Sequence, residues 1–423
     1  YTPLLPLLLA AAALVFGFSE ASLRLVPVLF ATLMLFFIYK IARLLYGKWV
    51  GILAPILATA TPMFLYFGKL PDHEPIVTSL ITASFYFFLK AAKHGRNVKK
   101  FYLVYALALI ESWASFFLIP TLVLLRLLFK IPRRFSLAPV FVTAFLVIVI
   151  HLAASFYFNG PGSLRELLRT LAFRSSLEGA NLGEGGITLW RFAEIEARYI
   201  VIYFTRIITI RVVLWLITAA ASFFRGRRRE NDLYLLGLLL PGVLFITVFR
   251  NLAYIHDYKL YLLLPFFSIA AASIFVAVGK RLFAHVSLRY LSAVMAILLV
   301  VAVFSERLSF LRSLINTSAG SEGVRLGKAI GSLTSPSELV LIDSGEFKAF
   351  FEVFVTYYAN RKVEYADLTL EDFQTDLKSY QKYRFVVLIE GRTRDERLQH
   401  YLKANYASYR YNKFDFFDLF QKI

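Results

Sequence analysis

The chain has 423 residues, 58% of them hydrophobic and only 18% charged, with a mean hydropathy of +0.63. Soluble domains sit near about 45–50% apolar and ~25% charged, so a disordered chain, a collagen and an ordinary soluble enzyme are excluded. The lack of any cysteine excludes disulfides, thiolate catalysis and Cys-ligated zinc, and a net charge of +19 raises nucleic acid as a partner until that charge is located.

Apolar runs follow one another along the chain, most of them long enough to cross a bilayer. The first, Leu4–Phe16, is short for a span and reads as an interfacial or re-entrant segment. No basic region precedes it, so it is not read as a signal peptide, and the sequence reads as starting part-way into a larger protein. Next come Leu25–Leu45, Val50–Phe67 and Ile76–Leu89. Phe101–Phe129 as one straight helix would be about 44 Å long and would hold Glu111 in lipid, so it is split into a hairpin with Glu111–Ser115 at its tip. Leu137–Phe158, Tyr199–Phe224, Leu233–Val248, Leu260–Val278 and Leu288–Phe304 complete about ten crossings, all expected to be helical because lipid leaves the backbone no other partner.

The basic residues then sort by side. Lys40, Arg43 and Lys48, the stretches 90–100 and 126–134, Arg225 with Arg227–Arg229, and Lys280, Arg281 and Arg289 share one face. The opposite short connections carry only Arg24, Lys69, Arg250 and Lys259, so the first face is cytoplasmic and the charge is topology, not a nucleic-acid surface. Residues 1–304 form a multi-span unit, and 305–423 a small extracytoplasmic α/β domain. In it Glu338–Asp343, Arg384–Ile389 and Phe414–Phe420 read as strands, and Phe347–Ala359, Leu370–Ser379 and Arg394–Ala404 as helices. Asn316-Thr317-Ser318 fits a glycosylation sequon on the matching side.

The polar residues that suggest chemistry lie on the outer side. Asp72-His73-Glu74, bracketed by Pro71 and Pro75, reads either as a capping turn or as an acid/base or divalent-metal site through Asp72 and His73. Arg250, His256, Asp257, Tyr258 and Lys259 form either an interfacial belt or a rim for a lipid phosphate. Arg206 and Arg211 lie within Tyr199–Phe224, where they either face a cavity or snorkel. Between Asn159 and Arg198 an amphipathic pattern, Leu164–Phe173, precedes a flexible Gly179–Gly186 stretch; this reads as a membrane-surface helix with a hinge or as a plain connector. No internal repeat of the transporter kind is evident, which favours an outward catalytic cavity.

Gly17-Phe18-Ser19-Glu20 through Arg24-Leu25-Val26-Pro27, then Arg43-Leu44-Leu45-Tyr46-Gly47, resembles the second-helix region of GT-C-fold membrane glycosyltransferases. Thr61-Pro62-Met63-Phe64, Phe67-Gly68-Lys69 and Asp72-His73-Glu74-Pro75 add to it, as do Ser112-Trp113 with Pro120 and His256-Asp257-Tyr258 with Pro265. The chain is thus similar to the family 39 glycosyltransferases, which include protein O-mannosyltransferases and lipid A aminoarabinose transferases. That resemblance implies a multi-pass plasma-membrane enzyme moving a sugar from a polyprenyl-phosphate carrier to an acceptor hydroxyl on protein, lipid or glycan, with inversion. It implies Asp72 as the acid of the second outer loop, His73 and Glu74 as its supports, and Arg206, Arg211, Arg250, Lys259, Tyr258 and His256 as the phosphate-binding set. Mg or Mn is the metal such a site would take. The family's main acid lies in the first outer loop, upstream of Tyr1. A lipid or sugar-lipid flippase, or an oligosaccharide transferase using a lipid pyrophosphate, is the alternative.

Overall fold

The computed structural model describes residues 3–129, 131, 135–175, 188–226, 230–282, 289–315 and 321–335. In the remainder it describes 337–343, 355–359, 362–366, 368–375, 383, 385–389, 395–404, 409–413 and 417–422. The chain folds as two compact units, Tyr1–Ile315 and Asn316–Ile423.

The first unit is helical. Its helices are α1 (Leu4–Phe16), α2 (Glu20–Tyr46), α3 (Lys48–Thr59), α4 (His73–His94), α5 (Val98–Glu111), α6 (Leu118–Leu128), α7 (Ala138–Asn159) and α8 (Gly162–Ser175). They continue with α9 (Leu189–Phe204), α10 (Arg206–Phe224), α11 (Glu230–Val248), α12 (Arg250–Ile255), α13 (Leu264–Leu282), α14 (Arg289–Glu306) and α15 (Leu308–Ile315). Among the described residues six helical runs are long and apolar enough to cross a membrane: α2, α4, α7, α10, α11 and Asp257–Arg281, which ends in α13. The other expected crossings fall on the shorter helices α3, α5, α6 and α14. The protein is a multi-pass membrane protein.

Local chemistry sets the breaks. Ser19 and Ser22 exchange capping hydrogen bonds at the start of α2. The hairpin split expected at Glu111 is present: α5 ends there, Ser112 is extended, its hydroxyl accepts from the Ala114 N–H, and a 3-10 turn, Trp113–Phe117, leads into α6. The run Tyr199–Phe224, expected as one span, is instead two helices. Thr205 takes a left-handed φ of 70° between α9 and α10, buries itself, and accepts the Ile208 N–H. The long apolar stretches on either side hid that capping residue.

The core gathers on α2, α3, α4 and α13, where Met34, Ile38, Leu57, Phe85, Phe88 and Ile269 are fully buried. By contrast α7 buries only Val140 and Ala144, leaving an apolar surface for lipid. At the basic end the Tyr46 hydroxyl donates to Asp232, Lys93 donates to the Asn231 side chain, and Asn231 donates to the Leu45 carbonyl. The C-terminal ends of α2 and α4 therefore meet the start of α11, as alternating spans require. At the other end the π-helical turn Met63–Phe67 runs into Gly68, where a Cβ would lie 2.5 Å from the Phe64 carbonyl and 3.2 Å from the Tyr261 hydroxyl. Only glycine lets the loop before Asp72 press this closely on the 3-10 segment before α13.

The second unit begins with α16 (Ser321–Leu333) and holds a five-stranded sheet. Its strands are β1 (Leu339–Asp343), β2 (Lys362–Ala366), β3 (Phe385–Ile389), β4 (Tyr409–Lys413) and β5 (Phe417–Lys422), in the order β2-β1-β3-β5-β4. β2, β1 and β3 are parallel, and β5 and β4 add antiparallel. Cores on the two faces hold Val340, Ile342, Phe385 and Val387 on one and Leu341, Val386, Leu388 and Phe420 on the other. Helices α17 (Leu370–Thr375) and α18 (Glu396–Ala404) are joined through Asp395, which caps α17 at the Leu370 N–H and pairs with Arg397 at 2.9 and 3.0 Å. That pairing holds the Asp395 carboxyl down to about 2. The sequon at 316–318, the 179–186 stretch and all of 344–354, which holds the first part of the helix expected at Phe347–Ala359, lie outside the described residues.

Candidate active site

Asp72 opens α4. Its backbone is extended and one carboxylate oxygen accepts the His73 N–H at 2.7 Å, while Glu74 sits in the first turn, where negative charge meets the helix dipole. His73 is held from the side: its Nδ1 lies 2.8 Å from Oε1 of Glu111, the last residue of α5, whose side chain is fully buried. With Glu111 ionised the carboxylate only accepts, and the contact then takes the imidazole proton on Nδ1. Glu111 was legible as a hairpin tip but not as a partner of His73. The only signal was a lone carboxylate in a long apolar run.

Glu74 reaches the other expected cluster. Its Oε1 accepts from the Lys259 ammonium, with both side chains largely buried at 6% and 14% exposure. Lys259 also lies 4.6 Å from the Tyr258 ring centre, a cation–π position. Next to it Asp257 accepts from the Tyr203 hydroxyl of α9. Rings close the arrangement, with Phe67 5.3 Å from Tyr203 and 6.0 Å from Tyr258, and His256 5.0 Å from Tyr258. Burial pushes His256 below its ordinary value, and the Lys259 charge pushes the same way. Asp72 and Arg174, at the end of α8, both act electrostatically on His256 and Tyr258. The end of α8 is fixed there by Asn251, which donates to the Phe173 carbonyl at 2.8 Å.

Of the residues expected from the sequence, Asp72, His73, Glu74, His256, Tyr258 and Lys259 therefore form one polar group across two loops. Arg250 opens the adjacent α12 with its buried Nε unpaired among the described residues. Arg206 and Arg211 are not brought in. The Arg206 side chain is exposed at the first position of α10, and the Arg206 and Ile207 N–H groups donate to Glu306 at 2.8 and 3.2 Å. Arg211 turns back on its own helix to the Ile207 carbonyl at 2.9 Å. A guanidinium next to an apolar helix face with that carbonyl in reach has no cause to cross to the cluster.

The donor set does not suit a metal. Among the described residues no three His, Asp or Glu side chains converge, and the Asp72–His73 pair is engaged by the His73 N–H and Glu111. A divalent ion normally takes six or more oxygens.

Residues 1–158 match the dolichyl-phosphate-mannose-protein mannosyltransferase family. The fold is shared with ArnT from Cupriavidus metallidurans bound to undecaprenyl phosphate, at 13% identity and a TM-score of 0.67, over all of this chain and 88% of that one. It is also shared with the Archaeoglobus fulgidus oligosaccharyltransferase in its apo form, at 13% identity and a TM-score of 0.56, over 92% of this chain and 61% of that one. No curated protein matches the sequence at a significant level. The likeness to these structures makes this a membrane protein of the GT-C fold, whose first 158 residues are similar to the mannosyltransferase family.

Proposed function

We propose that the chain transfers a sugar from a polyprenyl-phosphate carrier to an acceptor hydroxyl at the Asp72 end of the membrane unit, on the extracytoplasmic face of the plasma membrane. The observation that carries this reading is the joining of the Asp72 loop to the Lys259 loop through Glu74. It pairs an acid that can face an acceptor with cations that can face a phosphate, at the ends of long apolar helices. Asp72 orients the acceptor hydroxyl and takes its proton through the carboxylate oxygen that does not cap α4. His73, held by Glu111, and Glu74, held by Lys259, fix the turn that presents it. Inversion follows when the hydroxyl attacks the anomeric carbon opposite the departing phosphate. That phosphate leaves as an anion and needs no acid, only donors. An ammonium has three N–H groups, so Lys259 keeps two beyond the one given to Glu74, and Arg250 offers its unpaired Nε.

The undecaprenyl phosphate bound to ArnT supports a polyprenyl carrier. The fold shared with an oligosaccharyltransferase keeps a pyrophosphate-linked donor as the second reading. Membranes carrying the full protein, given radiolabelled polyprenyl-phosphate sugars, separate these. Label should leave the carrier with wild-type protein and stay on it with Asp72→Asn. Release only from lipid pyrophosphates would assign the second reading, and label crossing the bilayer on its carrier would make the protein a flippase.

A further inference from the structure

Glu196, on α9, is 7% exposed, and neither carboxyl oxygen has a partner among the described residues. An orphaned buried acid of this kind calls for an explanation, because burial without a hydrogen bond costs more than a leucine in the same place. Burial pushes the Glu196 carboxyl up to about 8, and the charge of Asp257, a second carboxylate, pushes the same way. It is therefore a neutral acid at pH 7, able both to donate and to accept.

Its surroundings are aromatic. Glu196, Tyr199 and Tyr203 follow one another at i, i+3 and i+7, hence on one face of α9. Tyr199 and Tyr203 have ring centres 6.2 Å apart, Tyr203 donates to Asp257, and Tyr254 and Asp257 act on Tyr199 together with Glu196. Tyr199, Tyr254 and Asp257 are half-buried, so this face is partly exposed beside the buried Glu196.

We propose that Glu196, Asp257 and Tyr199, Tyr203 and Tyr254 form a subsite for a polyhydroxylated ring, the sugar of the donor or of the acceptor. An apolar ring face suits the tyrosines, and adjacent hydroxyls satisfy the two carboxyl groups, one as donor and acceptor, the other as acceptor. A cation-bearing ligand is the weaker fit, because Glu196 is neutral. The proposal rests on the glycosyl-transfer reading above but concerns different atoms from the phosphate donors.

The test compares two affinities of the full protein in detergent: for polyprenyl phosphate carrying mannose, glucose or galactose, and for bare polyprenyl phosphate. The wild type should prefer at least one sugar-bearing carrier. Glu196→Leu should erase that preference by about tenfold or more while binding bare carrier as before, and Glu196→Gln, which still hydrogen-bonds, should keep most of it. If the ring belongs to the acceptor, the same pattern appears in the acceptor KM instead. A ratio reads only folded, binding-competent protein, so partial misfolding of the Leu variant does not mimic the result. The subsite is overturned if Leu leaves both the carrier preference and the acceptor KM unchanged, or if Gln is as damaging as Leu, which would mark recognition of charge. Wild-type protein that binds neither form of carrier overturns the functional reading itself, and the subsite with it.

Discussion

α4 and α10 both begin with charged residues at the end of an apolar helix, and the structure treats them in opposite ways. Asp72 caps its own helix, and the first turn is enclosed, with 78% of the most apolar stretch of α4 buried. α10 is capped from outside by Glu306, and only 17% of its stretch is buried. Four other segments, α5, α9, α12 and the 3-10 turn before α13, bring polar side chains up to the Asp72 end. The α10 start faces lipid or water with its dipole already answered by a carboxylate. Charge at a helix start thus becomes a candidate site through enclosure, since only there does low polarity magnify each interaction.

The largest test of that contrast is Asp72→Asn. Asparagine caps helices as well as aspartate does, so the fold stays while the base is lost. Turnover should fall by about 10²–10⁴-fold, with donor KM nearly unchanged; a rise in KM alone would move Asp72 from chemistry to binding. Next is Lys259→Met, which strands the buried Glu74 carboxylate and should cost about 3–5 kcal/mol, read as loss of thermal stability in detergent. Glu74→Leu added to it should recover stability without recovering activity. Glu306→Ala removes the partner of two N–H groups of α10 and should cost about 1 kcal/mol, with no change in donor KM. A tilted KM there would show that α10 belongs to the site after all.

Acid and base titration adds a direction. The Glu196 carboxyl is raised from about 4.3 in an unfolded chain to about 8 in the fold, so the folded state keeps a proton that the unfolded one has lost. Stability should therefore decline as pH climbs from about 4.3 to 8. Glu196→Gln should flatten that slope in thermal melts. The smallest effect is expected from Arg211→Ala, whose guanidinium among the described residues bonds its own helix: within about ±0.5 kcal/mol in stability and no change in donor affinity.

Much of the membrane unit was legible because lipid permits so little. Run length and one awkward glutamate were enough to divide Phe101–Phe129 into α5 and α6. The α9–α10 break was not legible, since Thr205 reads as another residue of a good span until its φ is known. The two outer loops were each legible as polar, but nothing in the order of residues tells Glu74 that its partner is Lys259, far along the chain. Arg206 and Arg211 stood out for being charged in an apolar run, and that is equally what a snorkelling arginine looks like. In the second unit the buried strands β1, β3 and β5 carried a signal, whereas β2 and β4 did not. These are edge strands, and in β2 Lys362 and Glu364 give the polar character that protects a sheet margin.

The Glu306 cap has a practical side. The carboxylate that completes α10 is supplied a hundred residues later, by the last turn of α14, and Arg307 beside it donates to the Val201 carbonyl of α9 at 3.3 Å. Where hydropathy ends is therefore not where the membrane unit ends. A protein cut after Phe304 would leave two helices with frayed tips next to the Tyr203–Asp257 contact, and would purify as a less stable membrane unit for reasons unrelated to the missing sheet. Cutting after Ile315 keeps those tips intact.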